Sequence, residues 1–507
     1  MTLAPPYEQV AARYERQQAS VISTRLVSDL ETPVSVYLKL VAAGQGASFL
    51  LESVEGGAVR GRYSMIGLAP DVIWRCENGQ AAINRRPAID PDAFVSCEEQ
   101  PLLSLRALIA ESAIPDLDDL PPMSAGVFGY LGYDMVRLME RLPASKPDPI
   151  RVPDALLIRP TVIVIFDAVK DEIVIVTPVR PEAGRSAKAA YEAGVERIER
   201  TVAAIEGALP HDANAISADT PAIQPSQSNT AETEFLEMVA KAKEYILAGD
   251  IFQVVLSQRF DTPFSLPPFS LYRALRRVNP SPFLSFLDFG GFQVVCSSPE
   301  ILVRVRDGKV TIRPIAGTRP RGATPHEDQA HAESLLADPK ERAEHLMLLD
   351  LGRNDVGRVS EIGSVTVTDK FFLEYYSQVM HIVSHVEGRL DSKHDTIDAL
   401  IAGFPAGTVS GAPKVRAMEI IDELEKDKRG AYAGCIGYFG ADGALDTCIV
   451  LRTAIVKDGM MHVQAGAGIV HDSNPASEQQ ECINKAKALF RAAEEAVRFA
   501  SRSERRQ

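Results

Sequence analysis

The stretch that most constrains the fold is residues 207–233, "GALPHDANAISADTPAIQPSQSNTAET". It is rich in Pro, Ala, Ser, Asn and Thr and has almost no large apolar residues, so it cannot bury enough surface to order itself. A chain of 507 residues is also too long for one hydrophobic core. The sequence therefore predicts an N-terminal tail (1–20), a first domain (21–206), a flexible linker (207–233) and a second domain (234–500).

The patterns on the two sides of this stretch predict antiparallel sheets. Strand-like runs occur around residues 47–75 and 123–178, followed by a polar helix near 181–206. In the second domain, pairs such as Asp307-Gly308 and Asp458-Gly459 separate apolar runs and are typical of β-hairpin turns.

Helices are predicted in the second domain without a regular βαβ alternation, which argues against a parallel doubly wound sheet. The fold class is therefore α+β, with two domains built on antiparallel sheets flanked by helices. The predicted helices follow the apolar stripe of "ETEFLEMVAKAKEYILAG", which ends at Gly249, and lie near 327–352, 395–403, 414–426 and 476–500.

Charge and cysteine usage exclude several classes of function. The net charge of −14, without a basic stripe, argues against nucleic acid as a partner. The most apolar region, "LLIRPTVIVIFDAVKDEIVIV", is interrupted by charges every few residues, so no membrane span is expected. The six cysteines lack C-x-x-C spacing and the N-terminus does not resemble a signal peptide. A reducing cytoplasm is the expected location.

Two E-x-x-E pairs, Glu341/Glu344 and Glu478/Glu481, occur in segments with helical patterns. The i, i+3 spacing places each pair on one helix face. Two such helices facing each other could offer carboxylate oxygens to Mg²⁺, which takes one or two protein carboxylates and leaves its other positions to water and substrate. Either pair alone is more typical of a solvated acidic face, and this alternative stays open.

The second domain also carries four glycine-rich loops bounded by strand patterns. Glycine lets backbone amides approach a ligand closely, and clustered amides favour anions. None is a P-loop or a dinucleotide fingerprint, because the strand–Gly-x-Gly-x-x-Gly–helix context is missing. Each alone is also typical of a tight turn. The loops are "RPIAGTRPRG" (313–322), "FPAGTVSGAPK" (404–414), "RGAYAGCIGYFG" (429–440) and "QAGAGIV" (464–470).

Together these stretches resemble the chorismate-utilising enzymes, and specifically the large, aminase subunits (component I) of anthranilate synthases, over almost the whole chain after residue 20. The resemblance implies the chorismate-utilising-enzyme fold and an Mg²⁺-dependent lyase. This enzyme would convert chorismate and ammonia to anthranilate and pyruvate in the first committed step of tryptophan biosynthesis. Feedback inhibition by tryptophan is also implied.

Two positions separate this reaction from those of related enzymes. Gln253 stands where water-adding members of the superfamily resemble one another in having lysine, and an amide cannot act as a general base. Ala316 stands where aminodeoxychorismate synthases commonly have a nucleophilic lysine, and a methyl group cannot form a covalent intermediate. Both favour direct attack by ammonia at ring carbon 2.

The resemblance also implies residue roles. Glu344 and Glu481 would bind Mg²⁺, with Glu341 and Glu478 behind them, and Glu300 would be the general acid, which requires a raised pKa. His381 either assists pyruvate elimination or orients its neighbours as a neutral ring. Gln253 and Thr408 complete the predicted catalytic set. The predicted substrate-binding residues are Gly317, Thr318, Tyr432, Arg452, Gly466, Gly468 and Lys485.

"FLLESVEGG" and "NPSPFLSFLDF" resemble the pocket with which this family senses tryptophan. Leu284 and Ser285 stand where family members often have Met and an aromatic residue, which bears on the strength of inhibition. The alternative for "FLLES" is a core strand that ends at a polar edge. The predicted tryptophan-binding residues are Glu52, Ser53, Asn279, Pro280, Phe283 and Leu284.

No cysteine has the glycine-flanked setting of a glutaminase nucleophile. The resemblance therefore implies a separate glutamine amidotransferase subunit (component II) that delivers ammonia, and hence a hetero-oligomer. Two alternatives remain at this point: an aminodeoxychorismate synthase component I, or a catalytically silent homologue that binds tryptophan.

Overall fold

The computed structural model describes residues 2–43, 46–55, 59–143, 146–210, 222–376 and 379–500. Residues 211–221 of the predicted linker (207–233) lie outside these ranges. The first half contains α1 (Tyr7–Glu15), β1 (Ser20–Val27), α2 (Pro33–Ala43), β2 (Ser48–Glu55), β3 (Val59–Glu77), β4 (Gln80–Asn84), β5 (Val95–Ser96), α3 (Pro101–Ser112), β6 (Gly126–Leu131), β7 (Ala155–Asp167), β8 (Glu172–Val179) and α4 (Ala187–Glu206).

The second half continues the mixture of strands and helices. Its elements are β9 (Gln227–Ser228), α5 (Glu232–Leu247), β10 (Gln253–Pro263), α6 (Pro268–Val278), β11 (Phe283–Asp288), β12 (Gln293–Ser298), β13 (Ile301–Arg306), β14 (Lys309–Ile312), β15 (Ile315–Pro320), α7 (Pro325–Ala337), α8 (Pro339–Gly357), β16 (Thr366–Tyr375), β17 (Val379–Arg389), α9 (Thr396–Gly403), β18 (Gly411–Ala412), α10 (Lys414–Leu424), β19 (Cys435–Gly440), β20 (Leu445–Ile449), β21 (Thr453–Lys457), β22 (Met460–Ile469) and α11 (Pro475–Ala500).

The strand ladders are antiparallel and run across the boundary between the two halves. In one ladder β3 pairs with β2, β2 with β11, and β11 continues through β12, β21 and β22 to β10. In the other, β7 pairs with β6, β6 with β19, and β19 continues through β20 and β13 to β14 and β17. Both halves therefore contribute to continuous sheet, and the division into two domains stays a prediction.

The apolar core also combines residues from both halves. The ring of Tyr37 lies 4.6 Å from that of Phe269, measured between centroids. In a second cluster Phe128 packs between Phe49, at 4.7 Å, and Tyr438, at 5.4 Å. Burial of such large rings stabilises the contact between the halves as well as each sheet.

The hairpin turns agree with the sequence patterns. Asp307 and Gly308 both have positive φ, +50° and +70°, and join β13 to β14, and Asp458 and Gly459, at +49° and +74°, join β21 to β22. Positive φ at both central residues is the geometry that favours Asp-Gly in two-residue hairpins. The α+β prediction is confirmed.

The predicted helix at 327–352 is wrong, because two helices occupy this region. α7 ends at Ala337, and the Asp338 carboxylate accepts hydrogen bonds from the amides of Lys340 and Glu341 to cap α8. Pro339 occupies the first turn of α8, where its missing N–H costs nothing.

Helices α1, α2, α3 and α6 were not predicted, and α1 lies within the predicted N-terminal tail with Val10 and Tyr14 buried. Each is short, and tertiary contacts rather than local pattern stabilise such helices. Across the described part of the chain, no helix combines the length and apolar character required to cross a bilayer.

Candidate active site

A cavity of about 760 Å³ brings together every residue predicted for catalysis, substrate binding and metal binding. Strands β10, β15, β17 and β22 and helices α8 and α11 contribute to its wall. This volume is ample for a small metabolite. The residues are Gln253, Glu300, Gly317, Thr318, Glu341, Glu344, His381, Thr408, Tyr432, Arg452, Gly466, Gly468, Glu478, Glu481 and Lys485.

The two E-x-x-E pairs face this cavity from two different helices, Glu341 and Glu344 from α8 and Glu478 and Glu481 from α11. Burial, and then the negative charges of Glu341 and Glu481, raise the pKa of Glu344. Lysine and arginine partners neutralise the flanking carboxylates, because Glu341 accepts from Arg319 at 2.8 Å and Glu481 pairs with Lys485 at 2.7 Å. Glu344 makes no such hydrogen bond or ion pair with the described residues.

A hard divalent cation fits this arrangement. No three His, Cys, Asp or Glu side chains converge as a preformed metal cage within the ranges that the structure describes. Mg²⁺ requires only one or two protein carboxylates, since water and substrate oxygens complete its octahedron. The crowding of Glu344 by two like charges is the repulsion that a cation would relieve. Glu344 and Glu481 line the cavity from the two helices and stay the predicted ligands.

Glu300 lies between β12 and β13 with 7% of its surface exposed. Burial raises its pKa to about 8, although the Thr408 hydroxyl and the charge of Arg452 act in the opposite direction. Thr408 Oγ1 lies 3.1 and 3.2 Å from the two carboxyl oxygens. Glu300 therefore carries a proton near neutral pH, as a general acid must.

Arg452 provides a partly buried positive charge in the same cavity. It follows β20 with φ of +47°, a conformation that few non-glycine residues adopt. Burial lowers its pKa, and its guanidinium has no hydrogen bond or ion pair with another side chain in the described ranges. A buried guanidinium without a counter-charge is costly, and it suits two-point recognition of a carboxylate.

Glycines keep the floor of the cavity open. A Cβ atom at Gly466 would lie 2.7 Å from Tyr432 Oη, and one at Gly468 would lie 2.6 Å from Gln253 Nε2. Both distances are too short for a real side chain. Gly317 has φ of +68°, which favours glycine for its backbone geometry. A ligand can thus approach the backbone at these positions.

His381 on β17 is a neutral ring in this setting. Its Nδ1 lies 3.0 Å from the carbonyl oxygen of Gly317 and 3.1 Å from Thr318 Oγ1. A carbonyl can only accept, so Nδ1 carries the hydrogen and Nε2 is an unprotonated acceptor. Burial lowers the pKa of His381 to about 4. Both predicted roles, proton acceptor and orienting neighbour, use a neutral ring.

The cavity also contains residues that the sequence patterns did not single out. Lys340 pairs with Asp472 at 3.0 Å, next to the acidic pair of α8, and Asn484 lies one helical turn beyond Glu481. Lys340 directly precedes Glu341, and Asn484 follows Glu481 by three residues. These spacings could have identified both residues as neighbours of the acidic pairs.

A second cavity, of about 680 Å³, lies where β2 and β3 meet β11, β13 and β16. Glu52, Ser53, Phe283 and Leu284 line it. Of the other residues predicted to bind tryptophan, Asn279 lines the first cavity and Pro280 lines neither.

Asn279 is directed away from the second cavity by Ser297. The Ser297 hydroxyl donates to the Asn279 carbonyl at 2.6 Å, and the Asn279 amide reaches the same hydroxyl at 3.4 Å. Of the six predicted residues, four therefore line the second cavity, Asn279 lines the first and Pro280 lines neither.

The charged groups of the second cavity pair with one another. Glu52 accepts from Arg276 at 2.6 and 2.9 Å and from the Tyr272 hydroxyl at 2.5 Å. Arg304 donates to Asp446 at 3.0 Å. Ser53 Oγ donates to the carbonyl of Tyr63 at 3.0 Å, which leaves its lone pairs available.

The two cavities share a wall. Pro299 and Ile315 line both of them. Pro299 directly precedes Glu300, and Ile315 begins β15, which carries Gly317 and Thr318. If a ligand in the second cavity displaces Pro299 or Ile315, the neighbouring candidates of the first cavity are displaced as well.

The chain is similar to known proteins over nearly its whole length. A sequence profile of the chorismate binding enzyme family matches residues 54–491. Anthranilate synthase component 1 of Cereibacter sphaeroides is 54% identical over 98% of this chain and 99% of its own, and that of Thermus thermophilus is 48% identical over 92% and 96%.

Solved structures support the fold. Anthranilate synthase component I from Streptococcus pneumoniae superposes with a TM-score of 0.74 at 38% identity, covering 92% of this chain and 99% of its own. The menaquinone-specific isochorismate synthase of Escherichia coli shares the fold, with a TM-score of 0.67 at 19% identity over 96% of this chain and 98% of its own. The predicted fold is confirmed, and the chain belongs to the chorismate binding enzyme family, in its anthranilate synthase component 1 branch.

Proposed function

We propose that the chain converts chorismate and ammonia to anthranilate and pyruvate, with Mg²⁺ as cofactor, in the first committed step of tryptophan biosynthesis. The observation that carries the proposal is the first cavity. It combines a buried carboxyl group that holds its proton, a guanidinium that pairs with no other side chain among the described residues, and carboxylates from two helices. The names of the relatives support the same reaction.

Substrate binding is assigned to the basic and backbone groups. The guanidinium fork of Arg452 and the Tyr432 hydroxyl hold the carboxylate of the enolpyruvyl side chain. Backbone amides near Gly317 and Gly468 and the ammonium group of Lys485 complete the anion site. When bound at Glu344 and Glu481, Mg²⁺ supplies Lewis-acid stabilisation and orientation of the ring carboxylate.

Glu300 supplies the proton for the first step. Ammonia forms a bond to ring carbon 2, both ring double bonds shift along the ring, and the bond from carbon 4 to its hydroxyl breaks. Glu300 protonates this hydroxyl so that it leaves as water. Loss of the carbon 2 proton and of the enolpyruvyl group as pyruvate then yields the aromatic ring. Neutral His381, with Nε2 free to accept, serves this second step as acceptor or as orienting group.

The nitrogen source is a partner subunit in this proposal. Five cysteines are buried and Cys97 is partly exposed, but it lies between Ser96 and Glu98 rather than on a glycine-flanked elbow. A glutamine amidotransferase subunit would therefore deliver ammonia, as the designation component 1 of the relatives implies. The hetero-oligomer and the cytoplasmic location are part of this proposal.

The second cavity is proposed as the regulatory tryptophan site. Glu52 and Ser53 from the first half and Phe283 and Leu284 from the second line it, so a ligand there contacts both halves. Tryptophan inhibits if it binds more tightly to the less active arrangement of the two halves. An aminodeoxychorismate synthase is disfavoured by Ala316, which has no nucleophile.

The direct test is an assay with the purified chain, chorismate, MgCl₂ and an ammonium salt at raised pH, where more ammonia is unprotonated. Fluorescent anthranilate and pyruvate should form in equal amounts. Glutamine should replace ammonium only after an amidotransferase subunit is added. Formation of an amino-chorismate without pyruvate, or glutamine-dependent turnover by the chain alone, would contradict the proposal.

A further inference from the structure

Three side chains connect the second cavity to the first. Arg313, Glu374 and Tyr376 all line the second cavity. The Tyr376 hydroxyl donates to one oxygen of Glu374 at 2.8 Å, and Arg313 Nη2 donates to the other. Glu374 is therefore held from both sides, and its position depends on the position of Arg313.

Tyr376 also contacts the candidate active site. Its ring packs edge-on against His381, with 5.4 Å between the ring centroids and 65° between the planes. One side chain thus has a neighbour in the catalytic set on one face and a hydrogen bond to the second cavity on the other.

Arg313 is the member of this group that a ligand in the second cavity can engage. Its side chain is 28% exposed. Its Nε is buried and has no hydrogen-bond partner within the described residues. A ligand carboxylate that approaches Arg313 competes with Glu374 for the guanidinium, because both are anionic acceptors of the same donors.

We propose that Tyr376 is a positioning residue for His381, and that Arg313 and Glu374 link its position to occupancy of the second cavity. A ligand that draws Arg313 away lets Glu374 and Tyr376 move, so His381 loses the ring that orients it. The part that concerns tryptophan rests on the proposed function. By reciprocity, chorismate in the first cavity weakens ligand binding in the second by the same factor.

The test uses the full chain with Mg²⁺, chorismate, ammonium and L-tryptophan, and compares wild type with Tyr376→Phe. This substitution removes the hydroxyl that binds Glu374 and keeps the ring against His381. Two quantities are measured: the KM for chorismate without tryptophan, and the coupling factor, which is the ratio of tryptophan dissociation constants with and without saturating chorismate. Direct calorimetric titration gives the latter.

The KM of Tyr376→Phe should rise about threefold to tenfold because the Tyr376 ring, no longer held by Glu374, positions His381 less well in the chorismate cavity. The coupling factor should fall from the typical range of about 5 to 150 towards 1, while tryptophan still binds the free chain within about threefold of wild type. A residue with only a structural role would lower thermal stability without removing the coupling.

Glu374→Gln provides an independent variant, since it keeps the shape of the side chain and weakens the contact with Arg313; its coupling factor should also fall. Tyr245→Phe is the matched control, because Tyr245 also donates to a glutamate, Glu423, at 2.7 Å but lines neither cavity. It should match wild type.

Wild-type coupling in both test variants would overturn the link. If wild type does not bind tryptophan, the proposed regulation fails, and an unchanged KM in Tyr376→Phe then overturns the positioning role as well.

Discussion

The two cavities of this protein differ in how their charges are satisfied. In the first, Arg452 and Glu344 have no ion-pair partner among the residues that the structure describes, and Glu300 avoids a charge by keeping its proton. In the second, Glu52 and Arg276 are already paired. A ligand supplies missing counter-charges in the first cavity, whereas in the second it must exchange existing ones. The first arrangement favours binding of a specific anion, and the second favours a change in structure on binding.

This difference has a stability cost on one side only. An uncompensated buried charge destabilises the folded state. The protein tolerates this cost where the bound substrate supplies the missing counter-charge. A satisfied pair holds the β2 and α6 regions together until a ligand rearranges it.

The largest expected effect concerns the cation of the first cavity. Excess chelator or Glu344→Gln should reduce anthranilate formation at least about 1,000-fold, because the ring carboxylate then meets Glu341 and Glu481 without Mg²⁺ to separate the negative charges. Glu494→Gln, the same change at an exposed position of α11, should retain full activity. Undiminished turnover in excess chelator would show that the first cavity does not need a cation for activity.

The next effect concerns the neutral acid. Glu300→Gln should lower kcat about 100- to 1,000-fold, since an amide cannot donate the proton to the leaving hydroxyl. In wild type the rate per unprotonated ammonia should fall as pH rises through about 8, where Glu300 loses its proton. Thr408→Val should shift this fall to higher pH, because the Thr408 hydrogen bond lowers the Glu300 pKa. An unshifted alkaline limb would contradict this assignment.

Stability gives a second measurement on Glu300. Its folded-state pKa is raised, so the unfolded state releases this proton at lower pH than the folded state does. Wild type should therefore lose stability relative to Glu300→Gln from about pH 4.5 up to about pH 8, with a constant difference above that. Equal melting temperatures across this window would show that Glu300 titrates normally.

The contrast between the two cavities predicts changes of opposite sign in the free energy of unfolding for two substitutions. Glu52→Gln should lower the free energy of unfolding by about 2–4 kcal/mol, because it leaves Arg276 without its counter-charge. Arg452→Met should raise it by about 1 kcal/mol while chorismate turnover is lost, because it removes an unpaired buried charge. Denaturant unfolding of both variants measures these changes. Destabilisation by Arg452→Met would show that the guanidinium is already satisfied.

The smallest effect concerns Ser53. If its oxygen accepts a hydrogen bond from the ammonium group of tryptophan, Ser53→Ala should weaken inhibition by about tenfold, since hydrogen bonds to charged groups contribute about 1.5–3 kcal/mol. Inhibition curves at several chorismate concentrations measure this, with the exposed Ser477→Ala as control. Equal tryptophan sensitivity of the two variants would place the ligand elsewhere.

Local patterns predicted the components of the first cavity better than their assembly. The i, i+3 spacing put Glu341 with Glu344 and Glu478 with Glu481, but no local signal showed that α8 and α11 face each other. Resemblance to a family supplied that relation. The Asp-Gly turns were predictable because positive φ is a local property of the residues themselves.

Long-range pairings had no signal of this kind. The register that places Ser53 opposite Phe283 joins strands that are far apart in the chain. The Arg313–Glu374–Tyr376 group depends on this register only because it lines the same cavity. Asn279 was assigned to the tryptophan site by resemblance to the family, whereas it lines the first cavity and hydrogen-bonds with Ser297. The break between α7 and α8 was readable from Asp338-Pro339 and was missed.

The pairing of β2 with β11 and of β6 with β19 restricts how regulation can be lost. Without residues 21–206, β11 and β19 would each expose an unpaired edge, and exposed edge strands promote aggregation. The catalytic half is therefore not expected to persist as a soluble, unregulated fragment. Under the proposed function, loss of tryptophan inhibition should therefore require point substitutions within an intact chain, because the strands that line the proposed tryptophan cavity also cover these edges.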